Sequence, residues 1–215
     1  MRKALLVGIS GRIGKALMDA LLNDIRYKGI TVLTRHDGRR LKNIHLKVVK
    51  ADFSNLEAHI SDFEGVDDVY CLLGTDFINT TNVSDAPLFD FEYPLNIAKV
   101  AKQANVKNFI LLNHSKSSLA SNRDKWNKRG KLEQDIKNMQ FENLYTFRVN
   151  SIAKSVNTKS GLYSISKSFA PILNLVSLGN LHKLKPTPAN VLAQKMVSIV
   201  VAQSQDKKEF SPQDY

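Results

Sequence analysis

The sequence predicts a doubly wound α/β protein, a three-layer α/β/α arrangement in which helices cover both faces of a parallel sheet. Short apolar runs alternate with longer amphipathic segments, a glycine-rich turn joins the first run to the first amphipathic segment, and no internal repeat interrupts this order. Strands that alternate with crossover helices favour a parallel sheet covered on both faces. Such sheets bind ligands at the carboxyl ends of their strands, so functional residues are expected there.

The individual elements follow from the periodicity of the apolar residues. Short apolar runs predict six strands, over residues 4–7, 30–33, 46–49, 69–73, 109–112 and 144–149. Apolar spacing near 3.6 predicts helices over residues 13–25, 89–104, 124–139, 162–176 and 189–203. Pro94 is compatible with the first turn of the second helix. After the third strand, Ser54 and Glu57 have the spacing of a capping box that begins a short helix.

Composition narrows the class of protein. The chain has 215 residues, 43% hydrophobic and 24% charged, which predicts one globular domain over residues 1–215. Residues from about 150 to 190 are expected to form a small segment that faces a substrate or partner. The single cysteine, Cys71, excludes a disulfide framework. No apolar run approaches the roughly 20 residues that span a bilayer, and the first run is too short for a signal peptide, so a cytoplasmic protein without a membrane partner is expected.

The formal net charge of +11 favours an anionic ligand. Nucleic acid is an unfavoured partner, because the basic residues are scattered and Arg39 with Arg40 form the only adjacent arginine pair. No metal is expected, because four of the five histidines lack the spacing to Asp or Cys that metal ligands show. These four are His36, His45, His59 and His182.

The strongest local motif is a glycine triplet directly after the first predicted strand. Gly8 permits a tight turn, Gly11 lets the backbone approach a pyrophosphate, and Gly14 lets the following helix lie close to the sheet. In this context the triplet favours dinucleotide binding over a simple tight turn. The residues predicted to contact the cofactor here are Gly8, Ser10, Gly11, Arg12, Ile13 and Gly14.

The end of the second strand predicts the type of dinucleotide. NAD sites usually carry an acidic residue there, whereas this chain has Thr34 followed by Arg35. An arginine accommodates the 2′-phosphate, so NADP(H) is expected in preference to NAD(H). The alternative is a solvated basic loop.

Two further strand ends carry candidate cofactor contacts. After the third strand, Asp52 could accept a hydrogen bond from the adenine amino group and Phe53 could flank the ring. The alternative for Asp52 is a helix cap. At the end of the fourth strand, Leu73, Gly74 and Thr75 would let the backbone pass beside the cofactor.

These motifs, taken in order with Thr146-Phe147-Arg148, resemble the atypical short-chain dehydrogenases/reductases. Within that group the chain is most similar to oxidoreductases of the Tat-interacting-protein type, with flavin/biliverdin reductases and NmrA-like regulators as wider relatives. The resemblance implies an NAD(P)-binding Rossmann fold, bound NADPH, a catalytic serine after the fifth strand and a Tyr-x-x-x-Lys pair on the next helix. It also implies cofactor contacts from the ends of strands five and six, at Asn113 and Arg148.

The chain departs from the family at each catalytic position. An ungapped alignment on Arg129-Gly130-Lys131 places Arg129 at the lysine, Lys125 at the tyrosine, and Asn113 with His114 at the serine. Val149 replaces the proline that usually follows the strand-six arginine. A second match to the dyad, Tyr163 with Lys167, lies after strand six and is not interpreted as the catalytic pair.

Three residues remain as catalytic candidates, each with an alternative. His114 could donate a proton to a reduced carbonyl or flavin, or bind the cofactor ribose. Arg129 could contact the ribose hydroxyls, or lie on a solvated helix face. Lys125 could act as an acid only if burial lowers its pKa toward neutrality.

The sequence thus predicts an NADPH-binding oxidoreductase-like protein that reduces a small carbonyl, quinone or flavin by hydride transfer without the usual tyrosine. The alternative is a catalytically silent NAD(P)H sensor of the NmrA-like type that acts through a protein partner. A homodimer is compatible with either interpretation.

Overall fold

A computed structural model describes residues 1–35, 43–77, 85–153, 186–203 and 208–214. The predicted helix over 162–176, the Tyr163/Lys167 match, the Arg39/Arg40 pair, His36, His182 and most of the segment near 150–190 lie outside the described residues. Within the described ranges, no helix is long and apolar enough to cross a bilayer.

In the described part of the chain, seven parallel strands form the central sheet. They are β1 (Arg2–Val7), β2 (Tyr27–Thr34), β3 (Leu46–Lys50), β4 (Asp68–Cys71), β5 (Asn108–His114), β6 (Asn143–Val149) and β9 (Glu209–Phe210). Their order across the sheet is β3-β2-β1-β4-β5-β6-β9. Two short strands, β7 (Ile152–Ala153) and β8 (Thr187–Pro188), pair separately. The order reverses between β1 and β4, which is the position where doubly wound sheets bind dinucleotides. The predicted fold class is confirmed.

Among the described residues, four α-helices cover the sheet, two on each face. They are α1 (Arg12–Leu22), α2 (Tyr93–Gln103), α3 (Asp124–Asn138) and α4 (Ala189–Ala202). Helices α1 and α4 share one apolar cluster with one face of the sheet, and α2 and α3 share a second cluster with the other face. In α1 the buried Ile13, Leu17 and Leu21 recur every four residues, which places all three on the sheet-facing side. All seven residues of β5 are buried, as expected for a strand covered on both faces.

Several boundaries differ from the predicted ones for local reasons. Helix α1 ends three residues early because Asn23 follows it and bonds back, its side-chain amide donating to the Asp19 carbonyl oxygen at 2.7 Å. Pro94 does lie in the first turn of α2, but a π-helical turn (Leu88–Glu92) precedes it. The short strands β7, β8 and β9 were not predicted, since two residues are too few to show a periodicity.

The predicted capping box is wrong. The short helix is a 3-10 helix (Leu56–Asp62) that begins after Asn55 and has no side-chain cap. Asp52 organises the turn before it: its Oδ1 accepts the Ser54 N–H at 2.9 Å, and its carbonyl oxygen accepts the Asn55 N–H at 3.1 Å. An Asx-type turn therefore replaces the cap that Ser54 and Glu57 were expected to form.

Candidate functional site

The turn between β1 and α1 is built on two glycines that have no room for a side chain. Gly8 has a φ of +93°, and a Cβ on it would lie 2.9 Å from the backbone of Leu72. A Cβ on Gly14 would lie 2.3 Å from the carbonyl oxygen of Gly8 and 2.5 Å from the Cα of Ile9. The close packing of α1 against the end of β1 therefore requires glycine at both positions.

Helix α1 begins with backbone donors that no side chain caps. Gly11 is the N-cap residue, has extended backbone angles and no capping hydrogen bond, and the first turn contains no acidic residue. The first N–H groups of a helix lack partners within it and carry partial positive charge, so this end of α1 fits a pyrophosphate. Ser10 and Arg12 are exposed and Ile13 is buried. The guanidinium of Arg12 donates to the Ile152 carbonyl oxygen at 2.9 Å, which ties the turn to β7.

Arg35, the residue predicted to bind the 2′-phosphate, lies at the carboxyl end of β2. The Arg35 guanidinium lies 4.3 Å from the ring centroid of Phe89 and 5.9 Å from that of Tyr93. Stacking of this kind leaves the in-plane N–H groups of an arginine available to an oxyanion. The Thr34 carbonyl oxygen accepts the Ala51 N–H at 2.9 Å and holds this strand end beside β3.

Asp52 and Phe53 lie at the neighbouring strand end but differ in exposure. Asp52 is exposed, while Phe53 is only 3% exposed and packs edge-to-face against Tyr93, with centroids 5.6 Å apart. The expectation that the Phe53 ring flanks the adenine is corrected, because the apolar core covers it. Asp52 stays at the surface, where a carboxylate oxygen can accept a hydrogen bond.

The loop after β4 is anchored by a buried carboxylate. Gly74 has a φ of +152°, and a Cβ on it would lie 2.3 Å from Nη1 of Arg129. The N–H and Oγ1 of Thr75 both donate to Asp90, at 2.9 Å and 2.8 Å. Leu73 is buried. Glycine is needed here because the guanidinium occupies the space that a side chain would take.

Arg129 belongs to the interior of the protein. Its side chain has no exposed surface, Nη1 donates to Asp90 at 3.0 Å, Nη2 donates to the Leu112 carbonyl oxygen at 3.0 Å, and Nε donates to Oδ1 of Asn113. Both expectations for this residue, a contact with the ribose and a solvated helix face, are corrected. The space that Gly74 leaves open allows the guanidinium to bond protein groups beneath the loop.

Asn113 is likewise fully engaged with the protein. Its Oδ1 also accepts the His114 N–H and the Ser117 hydroxyl, both at 2.9 Å, and its Nδ2 donates to Glu133 at 2.6 Å. The expected contact between the Asn113 side chain and the cofactor is corrected, since the side chain is buried and its oxygen and amide are occupied.

Arg148 pairs with acids on two neighbouring elements. Its Nη2 lies 2.6 Å from Glu133 in α3, and its Nη1 lies 3.0 Å from Glu209 in β9. These pairs link β6, α3 and the edge strand. The guanidinium of Arg148 bonds these two carboxylates, and the expected cofactor contact at Arg148 stays a prediction.

Lys125, at the position of the family's tyrosine, lies near the surface. Its Nζ is 2.8 Å from a carboxylate oxygen of Asp76 and 4.8 Å from the ring centroid of Trp126, and its side chain is 35% exposed. A role as a proton donor required burial of the ammonium group. The side chain is only partly buried, and the expected role of Lys125 as an acid stays a prediction.

A cavity of about 330 Å³ lies at the carboxyl ends of β4, β5 and β6. Its lining brings the start of α1 together with the end of β5, and consists of Arg12, Ile13, Asp76, Phe77, His114, Asn150, Ser151 and Ile152. A larger cavity of about 1050 Å³ lies between α1 and α4, and only Arg12 is common to both. We assign the candidate site to the smaller cavity, because ligands of doubly wound sheets bind at the strand ends.

His114 is the titratable ring in this cavity. It is 7% exposed, its ring centroid lies 4.3 Å from that of Trp126, and its Nδ1 accepts the Lys116 N–H at 3.1 Å. Burial lowers the pKa of His114 below its usual value, although the Asp76 carboxylate and the Asn150 backbone act in the opposite direction. The imidazole is therefore neutral at pH 7, and one of its nitrogens is already occupied as an acceptor.

The lowered pKa of His114 predicts a pH dependence of stability. The unfolded chain takes up the imidazole proton near pH 6.5, whereas the folded protein resists it, so stability present above this pH is lost as the pH falls through it. Wild type should lose more free energy of unfolding between about pH 7.5 and pH 5 than His114→Phe, which keeps a stacked ring but cannot titrate. Urea denaturation at each pH measures this difference. Parallel pH profiles for the two proteins would contradict it.

Two carboxylates in or near the candidate site were not singled out by the sequence analysis. Asp76 directly follows the Leu73-Gly74-Thr75 segment, and this adjacency was the available signal. Asp90 carries no local signal, because its partners Thr75 and Arg129 are 15 and 39 residues away along the chain. Among the described residues, no group of three or more His, Cys, Asp or Glu side chains could hold a metal ion.

Comparison with known proteins agrees with the geometry of the turn. A family model described as NAD(P)H-binding matches residues 8–145. The chain belongs to the NAD(P)H-binding family. The inferred resemblance to NAD(P)-binding proteins is confirmed, and with it the expectation of an NAD(P)-binding Rossmann fold.

Similar proteins cover this chain to different extents. Protein HTATIP2 of Rattus norvegicus is 27% identical over 154 residues, which are 68% of this chain and 61% of the rat protein. The chain thus spans less than two thirds of that relative. The Bordetella bronchiseptica enzyme WbmH, solved in complex with NAD+, has a TM-score of 0.67 at 16% identity and covers 98% of this chain and 75% of its own. The oxidoreductase ylbE of Lactococcus lactis has a TM-score of 0.67 at 15% identity, and the match covers 99% of this chain and 94% of ylbE. At these identities the solved structures support the fold.

Proposed function

We propose that the chain binds NADPH at the turn from Gly8 to Gly14 and uses it to reduce a small acceptor in the His114 cavity. The observation that carries this proposal is the lining of that cavity, which joins Arg12 and Ile13 of the dinucleotide turn to His114 and Asp76. A cofactor bound at the turn and an acceptor bound beside His114 would therefore meet. When bound, NADPH supplies the hydride.

The residues of the turn fit the dinucleotide. The uncapped start of α1 offers N–H groups to the pyrophosphate, and Gly8 and Gly14 keep the backbone free of side chains there. In this proposal Asp52, at the end of β3, would bind the adenine amino group, and Arg35, at the end of β2, would bind the 2′-phosphate. The Gly74 loop, held by Asp90, borders the same edge of the sheet.

Hydride transfer leaves the acceptor in need of one proton. Arg129 is buried away from the cavity, Lys125 is paired with Asp76, and the low pKa of His114 leaves it neutral at pH 7. Among the described residues around the cavity, these three leave water as the proton source that we propose. This favours quinones and flavins over simple aldehydes, because their reduced anions are delocalised and can be protonated by water without a strong acid.

We expect NADPH to be preferred over NADH, and Arg35 to be the reason. A hydrogen bond to a charged group contributes roughly 1.5–3 kcal/mol, so the preference in wild type should be at least about tenfold and should fall in Arg35→Ala. Titration calorimetry with both cofactors measures it. Arg26→Ala removes an arginine that pairs with Asp24 at the surface, and it should keep the preference. Equal affinities in wild type would refute the role of Arg35.

The direct test of the proposed activity is NADPH oxidation, measured against quinones, flavins and small aldehydes. We expect turnover with quinones or flavins that exceeds turnover with aldehydes. His114→Ala should change the KM for the acceptor while leaving the Kd of NADPH within about twofold, because the ring lines the acceptor side of the cavity.

A silent NAD(P)H sensor is the second candidate. The observation that favours it is that Lys125 and Arg129, at the positions of the family's tyrosine and lysine, form ion pairs with protein carboxylates. In that arrangement they do not form the proton relay that the family resemblance implies. Tight NADPH binding without reduction of any acceptor in the panel would support the sensor and reject the reductase.

A further inference from the structure

A third cavity, of about 480 Å³, lies beside the contact between the His114 and Trp126 rings. It is formed by the loop between β5 and α3 and by the start of α3. The residues that line it are Lys116, Ser118, Ala120, Ser121, Arg123 and Trp126. The lining combines two cations, two hydroxyls and one indole, and it contains no carboxylate.

The two cations are available to a ligand. Across the described part of the chain, neither Lys116 nor Arg123 forms an ion pair, and both are exposed. The adjacent carboxylate of Asp124 is paired with Lys128 at 2.9 Å. Two positive charges therefore face this cavity without a partner of opposite charge.

The two hydroxyls can also donate. Ser118 Oγ accepts the Ala120 N–H at 3.2 Å, and Ser121 Oγ accepts the Arg123 N–H at 3.3 Å. Each bond uses a lone pair of the oxygen and leaves the hydroxyl hydrogen free to turn toward a ligand. The side chains that line this cavity thus present hydrogen-bond donors, which an anionic group can satisfy.

This cavity is in contact with the candidate active site. The Trp126 ring that lines it packs against His114 with the ring planes tilted by 33°, and the backbone N–H of Lys116 donates to Nδ1 of the same histidine. A ligand with an anionic group at Lys116 and Arg123 and an aromatic body along Trp126 would extend toward His114.

We propose that this cavity binds the carboxylate or phosphate of an aromatic substrate, with Lys116 and Arg123 as its ligands. This inference rests on the proposed function, because it names the class of substrate that the reductase site would take. The binding experiment that tests it is done without the cofactor. The excess of positive charge near the site would also raise the rate of encounter with such substrates.

The test uses the single tryptophan of the chain, Trp126, as the reporter. Wild type without cofactor is titrated with benzoate and with benzamide, which has nearly the same shape but no charge, and Trp126 fluorescence is recorded. Benzoate should bind about tenfold more tightly, since hydrogen bonds to charged groups are the stronger ones. Phenyl phosphate compared with phenol forms the second arm, and the arm with the larger ratio identifies the anion.

Substitutions at Lys116 and Arg123 test whether these two cations cause the preference for benzoate over benzamide. Lys116→Gln and Arg123→Gln should each reduce the benzoate-to-benzamide ratio, and the double variant should abolish it. Lys137→Gln makes the same change of charge in the last turn of α3, and it should keep the wild-type ratio. Equal binding of the charged and neutral probes in both arms, or an equal loss in Lys137→Gln, would overturn the proposal. Absence of NADPH oxidation would instead count against the proposed reductase and would not change this result.

Discussion

Replacing Arg129 with methionine is expected to lower the free energy of unfolding by about 3–5 kcal/mol, because the change leaves a buried carboxylate without its partner. Arg129 has no exposed surface, and Asp90, which it bonds at 3.0 Å, is only 3% exposed. Methionine fills most of the volume, so the loss reflects the uncompensated charge and the unpaired carbonyl oxygen of Leu112. Urea denaturation of wild type and Arg129→Met measures it.

Two further variants show whether the charge is responsible. In the Arg129→Met background, Asp90→Asn removes the isolated carboxylate and should restore a large part of the lost stability, since removing both partners of a buried pair is far milder than removing one. Arg26→Met removes an arginine whose pair with Asp24 lies at the surface, and it should leave stability nearly unchanged. A full loss that Asp90→Asn does not relieve would show that packing, not charge, dominates at Arg129.

The same substitution should affect the dinucleotide site. Asp90 also holds the N–H and the hydroxyl of Thr75, so the loop that begins at Gly74 depends on the network around Arg129. We expect a weaker NADPH affinity in Arg129→Met at temperatures where the variant remains folded. That result would identify Arg129 as a positioning residue that acts on the site through Asp90.

The strands, helices and dinucleotide turn could be predicted because their signals are local. Ile13, Leu17 and Leu21 mark the buried side of α1 by their spacing, and Gly8 with Gly14 marks the turn by its position after a strand. Each of these signals is contained within about ten residues, which is the range over which periodicity and turn chemistry act.

The side-chain partners could not be predicted because they join distant parts of the chain. The alignment placed Lys125 and Arg129 correctly on α3, one turn apart, yet their partners Asp76 and Asp90 lie 49 and 39 residues away. Successive side chains of an α-helix point in different directions, so a small rotation of α3 about its axis changes which of them faces the core. The sequence around Arg129 is strongly charged, so both interpretations weighed for it, a ribose contact and a solvated helix face, placed its side chain outside the core. The absence of a side chain at Gly74 admits the guanidinium instead.

Gly14→Ala should reduce NADPH affinity by about 100-fold. The added Cβ would lie 2.3 Å from the Gly8 carbonyl oxygen and 2.5 Å from the Ile9 Cα, and both atoms belong to backbone that cannot rotate away. Helix α1 must therefore shift from the end of β1, and its first N–H groups move with it. Loss of two charge-assisted hydrogen bonds, each contributing roughly 1.5 kcal/mol, corresponds to this factor. Titration calorimetry with NADPH measures the change.

Gly29→Ala provides the matched control, since a Cβ at Gly29 would meet no atom within 4 Å and that glycine lies in β2, away from the turn. The two variants add the same methyl group, so a difference between them isolates the contact at the turn from any general effect of alanine on the unfolded chain. If Gly14→Ala binds NADPH as tightly as Gly29→Ala does, α1 tolerates the displacement and the helix start does not hold the pyrophosphate. The cofactor would then have to be bound from the other strand ends, through Arg35 and Asp52, and the Arg35→Ala variant would lose most of the affinity instead of only the preference for NADPH.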